Sequence, residues 1–119
     1  MSKLTDKAAD YFHGEQGYNC AQAVLKALHD VYPDIDDDDI AELKAYGGGR
    51  APHGICGALF AAQTYFADKP EITAAVKKEF LHIVGAMKCR EIRHANKVSC
   101  RNCVAAAVAA VEKLELKKE

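Results

Sequence analysis

The chain has 119 residues, half of them apolar, a formal charge of −1 and five cysteines. That length suits one domain spanning 1–119, with enough apolar surface to build a core without obligatory disulfides or oligomerisation. Lacking a basic excess to neutralise phosphates, the composition argues against nucleic acid or an anionic membrane surface as a partner.

The first helix is expected from Thr5 to His13, stopped by Gly14. Asn19 then caps a second helix through NCAQAVLKALHDVY, whose Cys20, Val24, Ala27 and Val31 share one face, and Pro33 ends it. The run DIDDDDIAELKAY reads as an acidic first turn leading into a short third helix, which the glycines of GGGR close. A fourth helix covers Cys56 to Ala67 and is broken by DKPEIT. A fifth runs from Ile72 to Met87 with Ile72, Val76, Phe80, Ile83 and Met87 on one stripe. Ser99 caps the last helix, where Cys100, Val104, Ala107, Val111 and Leu114 line up. The pattern is that of an all-α, compact bundle of five to six helices.

The N-terminal segment shows no apolar core of a secretory signal, and the longest apolar run, Val104 to Val111, is far short of a bilayer span. A cytoplasmic chain with no membrane insertion is expected. In a reducing compartment, cysteines at this density more often bind metal or do redox chemistry than form a disulfide scaffold. An odd number cannot pair completely.

Three cysteines fall at expected helix N-termini: Cys20, Cys56 and Cys100. Cys89 lies at the end of the fifth helix or in the connection after it, and Cys103 is one turn beyond Cys100. Unpaired backbone N–H groups and the helix dipole favour a thiolate there. The dipole supplies roughly 0.3–1 kcal/mol, or ~2 in a partly buried site. That brings a thiol from ~8.5 to near 7 at best. Two thiolates ~4 Å apart repel by about 4 kcal/mol at an effective dielectric near 20. Converging cysteines should therefore be protonated, disulfide-bonded or bound to a cation. Taken singly, each also fits an apolar stripe and could be core filler. The C-x-x-C of CRNC matches a dithiol arrangement, but no βαβ pattern precedes it and no second C-x-x-C makes a zinc site.

The segments GYNCAQAVL, GGGRAPHGICGALFAA, CREI and CRNCVAAAV together resemble the redox-active C_GCAxxG_C_C family over nearly the whole chain. By motif, Cys20, Cys56 and Cys89 match three family cysteines. The fourth is Cys100 or Cys103: Val104, four residues after Cys100, favours Cys100 and leaves Cys103 as an addition. Ala61 stands where the motif ends in glycine, and the spacer between the third and fourth cysteines is short. The resemblance implies a small helical redox protein. The GGGR loop would let the backbone turn tightly, bringing Cys56 toward the other cysteines, and Gly57 and Ala58 would leave room beside it.

His53, three residues before Cys56, and His94, between Cys89 and Cys100, could complete a mixed Cys/His site. Arg90 and Arg93 could offset negative charge beside Cys89. The acidic run fails as a calcium loop, since a loop starting at Asp34 places Ala45 where the bidentate glutamate belongs. The GGGR loop lacks the Gly-Lys-Ser/Thr ending of a phosphate loop.

The leading expectation is an iron–sulfur cluster held by the thiolates of Cys20, Cys56, Cys89 and Cys100, transferring electrons to a redox partner protein. Zinc on the same ligands, with Cys103 or His53 as further candidates, would make the centre structural. The alternative has no metal: Cys100 and Cys103 act as a thiol–disulfide oxidoreductase or sensor, and Cys20 and Cys56 form a second pair. A helical interaction module with buried thiols is the third reading. The alanine-rich last helix could pack against its copy in a homodimer.

Overall fold

The computed structural model describes residues 3–12, 17–30, 32, 35–46, 54–65, 69–92 and 100–118, with the side chains of 3, 100 and 114–118 outside that description. The described elements are α1 (Lys3–Tyr11), α2 (Cys20–His29), α3 (Asp37–Glu42), a 3-10 turn (Leu43–Tyr46), α4 (Gly57–Tyr65), α5 (Pro70–Val84), α6 (Cys89–Glu91) and α7 (Cys100–Lys118). The chain is all-α, with no strand among the described residues and only two isolated bridges, Phe12 with Tyr18 and Ile55 with Lys88. Among the described residues there are seven α-helices where five to six were expected, the extra one being the single turn of α6. None is long and apolar enough to cross a membrane among the described residues.

Caps explain several of the boundaries. Asn19 opens α2 with a capping box: its side-chain Oδ1 accepts from the Gln22 N–H at 2.8 Å, and Gln22 Oε1 accepts from the Asn19 N–H at 3.1 Å. Asp36 and Asp39 do the same for α3, so the acidic run works as a helix start. α2 stops at His29, short of the expected Tyr32, because the Asp30 N–H turns back to Ala27 and tightens the last turn. α5 begins two residues before Ile72, with Pro70 in the first turn, where its missing N–H costs nothing. Gly85 ends that helix at φ 92°, a left-handed conformation glycine adopts without strain, and its N–H bonds to the Leu81 carbonyl.

This early stop also shifts the buried stripe of α5. Ile72, Val76, Phe80 and Val84 face the core, while Ile83 is 49% exposed and Met87, beyond the helix, is half-buried. The expected stripe through Ile83 is thus replaced by a plain four-residue repeat.

α2 is buried nearly all round, from Cys20 to Leu25 and again at Ala27 and Leu28. It packs against α4, α1 and α7, and α7 in turn covers α1, α5 and α4. Alanines make this possible. Ala21, Ala23, Ala27, Ala58, Ala61, Ala62, Ala107 and Ala110 are fully buried, so neighbouring backbones approach closely, and Leu28, Leu59, Phe80 and Val108 fill the space between. His13, Gly14, Val31, Pro33, Phe66 to Asp68 and the glycines of GGGR lie outside the described residues.

Candidate functional site

The site is built around the first turn of α4. Cys56 occupies its N-cap position: its carbonyl accepts the first helical bond, from Phe60 N–H at 2.9 Å. The residues before it form a short extended contact with the segment leaving α5. Ile55 bridges Lys88, and the Cys56 N–H donates to the Met87 carbonyl at 2.7 Å. Gly54 makes the turn into this contact at φ +71°.

The Cys56 thiol is 5% exposed and has its pKa lowered to about 7. The largest cause is a hydrogen bond from the Cys103 side chain; burial opposes it, and the Leu59 and Ala58 N–H groups of the α4 first turn add to the lowering. Cys103 is 2% exposed. It lies in the first turn of α7, immediately before Val104 on the face that buries Val104, Ala107 and Val111. The arrangement is a buried thiol donating to a thiolate that a helix N-terminus also stabilises.

Cys20, the first residue of α2, is 5% exposed and approaches the same turn. A β-carbon placed on Gly57 would lie 2.8 Å from Cys20 Sγ and 2.7 Å from the Tyr46 carbonyl oxygen. Asn19 helps set this approach, because its amide donates to the Leu43 and Lys44 carbonyls at 3.3 and 2.9 Å and ties α2 to the 3-10 turn. Cys89 is half-buried and opens α6, one residue beyond the Ile55–Lys88 bridge.

Cys20, Cys56, Cys89 and Cys103 are not in disulfides. Among the described residues no group of three or more His, Cys, Asp or Glu side chains is placed to hold a metal ion. Cys100 is the first residue of α7, but its side chain lies outside the described set, as do His53, His94 and Arg93. Arg90 is exposed. Among the described residues, Cys103, the extra cysteine by motif, contacts Cys56. One sequence signal pointed to it, the C-x-x-C spacing; the apolar stripe through Val104 was assigned to Cys100 instead. The contact with Cys56 crosses 47 positions of chain, and no spacing rule pairs them. Tyr46 carries no sequence signal, whereas the small Gly57 and Ala58 already pointed to room beside Cys56, which at Gly57 the Cys20 thiol occupies.

No curated protein and no solved structure matches the chain. A family model described as "Putative redox-active protein (C_GCAxxG_C_C)" matches residues 18–114 and takes in all five cysteines. The chain belongs to the C_GCAxxG_C_C family.

Proposed function

We propose that the protein is a thiol–disulfide redox protein whose reactive couple is Cys56 and Cys103. The observation that carries this reading is the hydrogen bond from the Cys103 thiol to Cys56 at the start of α4. Cys56, half ionised near neutral pH, is the nucleophile, and Cys103 is the thiol that closes the disulfide. Oxidation removes two electrons and two protons from the pair, passing them to a disulfide or hydroperoxide. A redox partner protein would have to loosen the site or work through half-buried Cys89, because Cys56 and Cys103 are only 5% and 2% exposed.

A second reading is favoured by the approach of Cys20 to Gly57, which brings a further thiol to the same turn. Here Cys20, Cys56, Cys89 and Cys100 hold an iron–sulfur cluster or zinc. The described donors alone do not make such a ligand set.

One preparation separates the two. Protein purified without oxygen and without a chelating tag is assayed for iron, sulfide and zinc, then titrated with peroxide and mapped by peptide mass spectrometry. The dithiol reading expects no stoichiometric metal, and a Cys56–Cys103 disulfide that dithiothreitol reverses. Equal iron and sulfide with a bleachable visible spectrum would replace it with the cluster; stoichiometric zinc would make the centre structural.

A further inference from the structure

We infer that Cys56 has two alternative disulfide partners, Cys103 and Cys20, and that Gly57 is the positioning residue that admits the second. This rests on the dithiol reading of Cys56. Gly57 follows Cys56 directly and begins α4, where its backbone is not in the left-handed region that demands glycine. Glycine in a helix costs roughly 0.5–1 kcal/mol relative to alanine. What the missing side chain permits is specific: the Cys20 thiol and the Tyr46 carbonyl both occupy the space a β-carbon would need. Real β-carbons do not come within 3.0 Å of another heavy atom, so an alanine here must displace one or both. Tyr46 is held by its backbone in the 3-10 turn, and the Cys20 backbone lies within the Asn19 capping box, so the thiol can yield only by turning about a single bond inside the buried core. The thiol of Cys20 is thereby pressed onto the turn that presents Cys56, on the side of α2 rather than α7.

Both thiols are 5% exposed, which favours a small two-electron oxidant over a protein disulfide. With hydrogen peroxide, the Cys56 thiolate attacks one oxygen; the O–O bond breaks, a sulfenic acid forms, and hydroxide leaves as water after taking a proton. The Cys20 thiol loses its proton and attacks the Cys56 sulfur. An S–S bond forms, the S–O bond breaks, and the second oxygen leaves as water. Two thiols and one peroxide thus give one disulfide and two waters.

The test is peroxide oxidation of the full chain with peptide mapping and dimedone trapping of sulfenic acid. The wild type should give Cys56–Cys103. Cys103→Ser should give Cys20–Cys56 within one molecule, and Cys103→Ser with Gly57→Ala should form it about ten-fold more slowly, with Cys56 sulfenic acid accumulating, since sub-ångström misplacement of reacting atoms carries penalties of this order. Gly57→Ala alone should keep Cys56–Cys103. If Cys103→Ser traps only sulfenic acid, the second partner is lost while the dithiol reading stands. A wild type without Cys56–Cys103 overturns the dithiol reading itself. Should Gly57→Ala fail to fold, recovery by adding Cys20→Ala identifies the Cys20 thiol as the obstacle. Failure of both places the obstacle at the Tyr46 carbonyl and overturns the role given to Gly57.

Discussion

Replacing Cys103 with alanine removes the largest influence holding the Cys56 pKa at about 7. An ordinary thiol sits near ~8.5, so the full depression is roughly 1.5 units, or about 2 kcal/mol. That matches the ~1.5–3 kcal/mol expected of a hydrogen bond to a charged group. With the Cys103 donor gone, burial at 5% exposure opposes the two remaining amide donors, Leu59 and Ala58, and the pKa should return to the ordinary range or above it. The thiolate fraction at pH 7 then falls from about one half to a few per cent, a change of about 15-fold. Cys103→Ser retains a donor and should move the pKa by less. Ultraviolet thiolate absorbance, titrated as the difference from Cys56→Ser to isolate one sulfur among five, measures each midpoint without requiring a reagent to reach the site. A Cys103→Ala midpoint still near 7 would refute the reasoning, leaving the α4 first turn as the sole source of the shift.

The depressed Cys56 pKa also sets a pH dependence of stability. Between about pH 7 and the unfolded thiol value near ~8.5 the unfolded chain binds more protons at this group, so stability should rise with pH, by up to about 2 kcal/mol. This contribution is lost as pH falls through 7, and urea midpoints of Cys56→Ser should lack the rise across that window. Asn19→Ala removes the α2 capping box and the ties to Leu43 and Lys44, and should cost about 2 kcal/mol in urea unfolding; a loss under ~0.5 would show these bonds to be replaced by water. Phe80→Ala opens the core at a fully buried side chain and should cost roughly 3–5 kcal/mol, read from the same assay.

Much of the fold was legible in sequence because helix caps act locally. Asn19 with Gln22 and Asp36 with Asp39 satisfy N–H groups within one turn, whereas the stop at Gly85 lay inside a helix expected to run to Met87, because apolar spacing continues past a left-handed glycine. The placement of Cys20 at the start of α2 follows from the same rule. The single turn of α6 was not legible, since three residues carry no periodicity, and its start at Cys89 goes with the Ile55–Lys88 bridge, a contact across 33 positions.

The sequence by itself determined that the chain is helical, that thiols would stand at helix N-termini, and to which family it belongs; composition, caps and ordered motifs encode these over a few residues. Only the tertiary structure decided which thiol meets which. The contact of Cys103 with Cys56 exists because α7 packs across α4, and the approach of Cys20 exists because Gly57 has no side chain where α2 and the 3-10 turn converge. Such distances depend on close packing of whole helices, a property of the assembled core and of no single segment.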